Sequence, residues 1–149
     1  MYRKGVSALI INKKNEFLLV NLKSFETHFF AVPGGGIEGN ETLEDAVYRE
    51  IEEELGIHKH TLEIMGKSTH PLRYEFKTQK LQRAGVVYDG SERHFFGFRF
   101  IGNQQDIRVQ ESEVRSYRWI RKEDLSKYLL FEHQCKDTEE KIQEIFDLD

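Results

Sequence analysis

Between Thr42 and Leu55 the chain carries Glu44, Asp45, Glu50, Glu52, Glu53 and Glu54 against a single base, Arg49. If that segment is helical, a turn of about 100° per residue gathers Glu50, Glu53 and Glu54 onto one arc of about 100°. The arc borders an apolar stripe of Leu43, Val47, Ile51 and Leu55, so the acids sit where the helix meets a sheet. Like charges three and four residues apart cost about 0.2–0.5 kcal/mol per pair on an open helix, and more when half-buried. A divalent cation turns that repulsion into binding, and hard cations such as Mg²⁺ take oxygen ligands. Acid spacing alone is met equally well by a solvated acidic face, the role expected of Glu44 and Glu52.

The elements around these acids follow from caps and periodicity. Thr42 is a good N-cap with Asp45 at the capping-box distance, and Gly56 is the usual left-handed stop. Gly5–Asn12 and Glu16–Leu22, rich in Val, Ile and Leu and split by Lys13-Lys14-Asn15, read as a hairpin. His28–Val32 reads as a short aromatic strand entering a Pro33-Gly34-Gly35-Gly36 loop. Thr61–Ser68, Gly85–Tyr88, His94–Ile101 and Ser116–Ile120 read as further strands, with Phe96, Phe98 and Phe100 alternating on one side. Asn103–Asp106 reads as a polar turn, Lys122–Leu125 as a helical turn, and Asp137–Phe146 as a closing amphipathic helix. Pro71–Glu92 is the least patterned stretch and is expected to be a long loop. The expectation is one mixed α+β domain over residues 1–149.

With these positions in place, the spacing becomes specific. Gly35, Glu41, Arg49, Glu50, Ile51, Glu53, Glu54, Gly56 and Ile57 match the Nudix box at every specified position. The chain therefore resembles a Nudix hydrolase. The resemblance implies an α/β/α sandwich around a mixed sheet, a loop–helix–loop that binds divalent metal, and cleavage of a pyrophosphate bond in a nucleoside diphosphate linked to X. It further implies Glu50, Glu53 and Glu54 as metal carboxylates, the Gly34 carbonyl as a further ligand, and Glu41 with Arg49 as the ion pair orienting the loop. Mg²⁺ is the implied cofactor, with Mn²⁺ as a substitute. Glu50 is one candidate general base. Glu113, six residues before Trp119, resembles the extra catalytic or metal-binding glutamate of several subfamilies, with Glu111 as its neighbouring alternative.

Past the box, Tyr2-Arg3, Gly5-Val6, Arg73-Tyr74 and Gly90-Ser91-Glu92-Arg93-His94-Phe95-Phe96 resemble the RNA 5′-pyrophosphohydrolases and dinucleoside-polyphosphate hydrolases. Gly34 and Gly90-Ser91-Glu92-Arg93 depart from them, standing where those enzymes usually carry Gln after the proline and a Gly-Gln-x-Gln segment. A MutT-like nucleoside triphosphate pyrophosphatase, a nucleotide-sugar substrate and a non-catalytic nucleotide-sensing module are the alternatives. A polyphosphate needs cations beyond the metal: Arg3, Lys23 and Arg73 are the first candidates, followed by Lys80 and Arg93. Phe30, Tyr74 and Tyr88 are candidates to stack on a base. His28, His70 and His94 are candidates to touch phosphate, and His58 and His60 are expected at the surface.

Composition narrows the rest. The 149 residues are 38% hydrophobic and 32% charged with net charge −4, a balance without general affinity for a nucleic-acid backbone, although a 5′ end remains a candidate partner. No apolar run approaches the roughly 20 residues of a membrane span. One cysteine, Cys135, cannot close an internal disulfide and fits a reducing, cytoplasmic setting. Exposed sheet edges permit either a monomer or a homodimer.

Overall fold

The computed structural model describes residues 1–75, 81–83 and 85–146. Lys80, a candidate phosphate cation, lies outside the described residues. The strands are β1 (Tyr2–Ile11), β2 (Glu16–Leu22), β3 (Gly34–Gly36), β4 (Leu62–Lys67), β5 (Leu72–Glu75), β6 (Leu81–Arg83), β7 (Val86–Tyr88), β8 (Gly90–Phe100) and β9 (Val114–Arg121). Two helices, α1 (Leu43–Leu55) and α2 (Gln134–Ile145), complete the frame, with short 3₁₀ turns at Lys59–Thr61, Gln104–Asp106 and Lys122–Lys127.

The main sheet runs β4-β8-β1-β2-β9, and the β1–β8 pair is parallel over its full length while the others are antiparallel. Both central strands fork. β1 pairs with β2 at its far end, Ile11 with Phe17, and with β3 over Gly5–Ser7, while β8 meets β4 at one end and β5 at the other.

Alternation along β1 builds two cores. Val6, Ala8 and Ile10 face α1, where Val47, Ile51, Leu55, Phe96, Phe98 and Phe100 join them. Leu9 and Ile11 face α2, with Phe17, Leu19, Phe95, Ile142 and Phe146. The result is an α/β/α sandwich. Each of these side chains contributes about 1.5–3 kcal/mol by leaving water. α1 is set as its caps require: Thr42 Oγ1 accepts from Asp45 N at 3.0 Å, and Gly56 turns out at φ 65°.

Four expectations are corrected. Gly34–Gly36 is not a loop but β3, in register with Gly5–Ser7. Without Cβ atoms its backbone fits a space that side chains from other elements close on both faces. His28–Val32 is not a strand, holding only a Val20–Ala31 bridge. Asn21 Nδ2 draws that segment into a compact loop by donating to Glu26 O and Phe29 O at 2.9 and 2.6 Å. Pro71–Glu92 is not one long loop: β5 pairs with β8, and β6 with β7. These short strands lack the long apolar alternation that marks a central strand. The closing helix also starts three residues earlier than Asp137, at Gln134.

Candidate active site

Arg49 organises the acidic side of β3. Its Nε donates to Glu41 Oε2 at 2.6 Å, and Nη2 donates to Glu41 Oε1 and Gly36 O, both at 2.9 Å. Nη1 donates to Glu50 Oε1 at 2.9 Å and to Glu53 Oε2 at 3.1 Å. Every N–H of the fork is engaged. Glu41 also accepts from Glu38 N at 2.8 Å, so one carboxylate ties the β3–α1 loop to the helix. The Arg49 hydrogen bonds hold the Glu41 carboxyl below the usual range. Glu41 and Arg49 are thus joined by a parallel pair of hydrogen bonds.

The three helix acids occupy different settings. Glu53 is 54% exposed and meets Arg49. Glu50 is largely buried against Gly35, where any Cβ would fall inside its carboxylate. Burial pushes the Glu50 carboxyl up, opposed by Arg49. Glu54 is 5% exposed and accepts from Gly34 N at 2.8 Å. Burial drives it up to about 8, against the pull of the Gly34 amide, and the nearby Glu50 and Glu113 add to the rise. Glu50 is the shared member, bridged to Glu53 by Arg49 and coupled to Glu54 through the field. Among the described residues, no three His, Cys, Asp or Glu side chains are close enough as placed to form a ready-made cation cage.

Glu113 enters this setting because Gln110 N donates to Glu54 O at 3.0 Å, folding the approach to β9 onto the end of α1. Lys23 N donates to Glu113 O at 2.8 Å, which brings Lys23 alongside, its side chain exposed. Glu111 is exposed on the same loop. Arg3 packs its guanidinium against the Gly36 backbone. Arg73 is partly committed elsewhere: Nε and Nη2 each sit 2.9 Å from Glu92 Oε1, and its guanidinium lies over the Tyr2 ring. His94 Nε2 is 3.1 Å from Glu92 Oε2. Phe30, a stacking candidate, is instead core, 4% exposed and edge-on to Tyr128. Tyr74 donates to Asp137 Oδ2 at 3.1 Å and lines a cleft, while Tyr88 is half-buried on β7. His28, His70, His58 and His60 are exposed.

That cleft brings Arg93 and Tyr74 together with an aromatic cluster that sequence reasoning missed. A cavity of about 300 Å³ opens on the α2 side of the sheet, lined by Ser7, Tyr74, Arg93, Phe131, Gln134 and Thr138 among others. At its lip Phe131 meets Phe25 and Phe29 with ring centroids 5.0 and 4.8 Å apart. Arg115 donates to Phe25 O at 3.3 Å and to Asn21 Oδ1, holding the loop that carries these rings. Arg93, a phosphate candidate by its charge, is set apart further by register: in β8 it shares a side with Phe95, where alternation calls for an apolar residue.

The family model of the NUDIX domain matches residues 1–140. The chain belongs to the Nudix family. It is a Nudix hydrolase acting on pyrophosphate bonds. An RNA pyrophosphohydrolase of Pelagibacter ubique is 30% identical to it, the match covering 96% of this chain and 92% of that protein. Among solved structures, the Nudix fold is shared with the C. elegans Ap4A hydrolase binary complex (TM-score 0.68, 22% identity, 90% of each chain). It is also shared with the E. coli dihydroneopterin triphosphate pyrophosphohydrolase (TM-score 0.74, 17% identity, 97% of this chain and 99% of that one).

Proposed function

We infer that this Nudix hydrolase, one domain spanning residues 1–149, is a Mg²⁺-dependent pyrophosphohydrolase of a nucleoside polyphosphate, either a 5′-triphosphate RNA end or a dinucleoside polyphosphate. The observation that carries the reading is the crowding of Glu50, Glu54 and Glu113 at the Gly34 end of β3. There burial and the repulsion of Glu50 and Glu113 lift Glu54 to about 8, against the pull of the Gly34 amide and of the Arg93 charge. The donors of such a site are oxygens, which suits a hard divalent cation.

Glu50, Glu54 and, once released from Arg49, Glu53 would hold the metal. Mn²⁺ would serve as a substitute. In an extended strand a residue's amide and carbonyl face one edge, so the Gly34 carbonyl shares the edge at which Glu54 takes its amide. That supports Gly34 as a further ligand. When bound, the cation supplies charge neutralisation of the pyrophosphate and a water of lowered pKa.

The chain's own residues do the rest. Arg49 and Glu41 fix the carboxylates against the loop, leaving orientation already built before substrate arrives. Glu113 or Glu50 takes the proton of the attacking water, Glu113 from outside the helix and Glu50 from a carboxyl raised by burial. Arg3 and Lys23 stand free for phosphate, Arg73 less so. The Phe25–Phe29–Phe131 cluster offers ring faces to a nucleobase. The name of the Pelagibacter relative supports the RNA end. A monomer suffices for this chemistry, and the half-buried Cys135 thiol, pushed up to about 11 by burial, suits a reducing cytoplasm.

The test is a product-resolved screen, with and without Mg²⁺, over 5′-triphosphate RNA, diadenosine polyphosphates, nucleoside triphosphates and nucleotide sugars. Glu53→Gln is expected to cut turnover by about 10²-fold or more while the fold is kept. Cleavage that is equally fast in EDTA, or unchanged in Glu53→Gln, would overturn the metal assignment. Tight binding without cleavage would mark a sensor instead.

A further inference from the structure

A cavity of about 560 Å³ opens at the β1–β2 turn, and none of the residues assigned to the chemistry lines it. Its floor is aromatic. In the β2–β9 register Tyr117 and Trp119 stand opposite Val20 and Leu18, so both rings point to the α1 side of the sheet. α1 packs mainly on β1 and β3, whereas β9 is an edge strand, so the two rings are left half-buried. Trp119 also lies along the buried Phe100 ring, with centroids 5.8 Å apart and planes 27° from parallel.

Two fixed turns wall this floor. Asn12 Oδ1 accepts from Lys14 N and Glu16 N, both at 2.9 Å, and its Nδ2 donates to Glu16 Oε1 at 3.0 Å. The turn so shaped presents Lys13 and Lys14 to the cavity. In the second turn Asn103 N donates to Asp106 Oδ2 at 2.7 Å, and the 3₁₀ segment presents Gln104. Among the described residues the Tyr117 hydroxyl, the Trp119 indole N–H, the Gln104 amide and both lysine ammonium groups have no partner in the protein. None of them is a buried unsatisfied group, so each is reached from outside. Lys13, Lys14 and Arg118 line the cavity against Glu16 alone, a local positive excess in a chain of net charge −4.

We propose that this cavity is a second nucleotide-binding site, taking a nucleoside monophosphate unit either as a free nucleotide or as one residue within an RNA strand. A base laid on Trp119 and Tyr117 uses their ring faces, and Gln104 offers an amide to its polar edge. The phosphate meets Lys13 and Lys14. The rings alone would suit any flat apolar group, and the lysines alone any anion. Their juxtaposition in one cavity of small-molecule size selects an aromatic group that carries a phosphate. From Val6, the partner of Gly35, to the Asn12 turn is about 20 Å along the strand direction. A unit held here is therefore not the group undergoing hydrolysis, and the assignment goes beyond the pyrophosphohydrolase reading without resting on it.

Trp119 is the only tryptophan of the chain, so its fluorescence reports on this cavity. The protein in EDTA is titrated with adenosine monophosphate, with a 5′-hydroxyl octaadenylate, and with ribose 5-phosphate as the probe without a base. Quenching by adenosine monophosphate is expected if the source is a free nucleotide, and by octaadenylate alone if it is an RNA strand; either supports the site. The double variant Lys13→Gln, Lys14→Gln is expected to weaken binding of the quenching probe about tenfold, and Glu53→Gln to leave it unchanged. Calorimetry on Trp119→Leu is expected to show a loss of about tenfold or more. Trp119 packs on Phe100, so the exposed lysine pair carries the test if Trp119→Leu fails to fold. No quenching by either base-bearing probe, equal quenching by ribose 5-phosphate, or unchanged affinity in the lysine double variant would overturn the proposal. Mg²⁺-dependent cleavage by the wild type would survive that failure, and a failed cleavage screen would leave this binding result standing.

Discussion

Replacing Arg49 with lysine tests whether the guanidinium is an organiser rather than a mere charge. The arginine makes five hydrogen bonds between 2.6 and 3.1 Å, two of them a parallel pair to Glu41 and one to the Gly36 carbonyl. A lysine keeps the charge but has three donors radiating from one atom, so at least two bonds vanish and the planar span from Glu41 to Gly36 is lost. Hydrogen bonds to charged groups contribute about 1.5–3 kcal/mol each, and lysine recovers part of that, which leaves a loss of about 2–4 kcal/mol. For a domain of this size the expected fall in Tm is about 5–15 °C. Glu50 loses a fixed neighbour at the same time, and loosening of about 1 Å at a catalytic group costs about 10²-fold in rate. Thermal melts and kcat/KM on one preparation check both. A Tm unchanged and a kcat/KM within about threefold of wild type would show that charge suffices and that the fork geometry is irrelevant.

Two further outcomes follow from the packing and the acid–base balance. Gly97→Ala, in β8, would place a methyl 2.8 Å from Phe146 Cζ and closer still to Ile145, so urea unfolding is expected to show a loss of about 1–3 kcal/mol. Glu144 accepts from Thr69 N at 2.6 Å, from Thr69 Oγ1 at 2.5 Å, and from the buried Lys141 ammonium at 3.0 Å. Burial alone would raise its carboxyl, but these donors overcome it and hold it at about 2. Because the folded value lies below the unfolded one, the stabilisation is full above about pH 4.5 and disappears as pH falls toward 2. With 30% of the side chain reached by water the contribution is discounted to about 1 kcal/mol. Glu144→Gln should therefore lie below wild type in stability at pH 7 and converge with it near pH 2, and parallel curves would refute the assignment.

How much was legible in the residues depended on whether a side chain carried the signal. The α1 helix was, because Thr42, the apolar stripe and Gly56 mark its ends and inner face independently. The Phe96–Phe98–Phe100 alternation likewise identified an inward face. Gly85–Tyr88 was legible as β7, but β5 and β6 were not, since short edge strands can alternate without a long apolar run. Asn21 was read as part of a strand and gave no hint that its amide shapes the following loop, because that role depends on backbone carbonyls whose position only the fold determines. The aromatic lip was hidden for a related reason: Phe131 is far in sequence from Phe25 and Phe29, and only the placement of the α2 N-terminus joins them.

The glycine strand unites the part that was missed with the part that matters for chemistry. Periodicity works by comparing side chains on alternate faces, and residues without side chains offer nothing to compare. Yet the missing Cβ atoms are what bring Glu50 up to one side of the backbone and Arg93 and Arg3 up to the other. An alanine at Gly35 would displace the acid, and one at Gly34 or Gly36 would displace a base. The bare backbone is therefore a separator that keeps opposite charges close without letting them neutralise each other as an ion pair. Had Arg93 found Glu54 directly, the acid would lose its capacity for a cation and the base its capacity for an anion. Separation by a single peptide layer preserves both capacities.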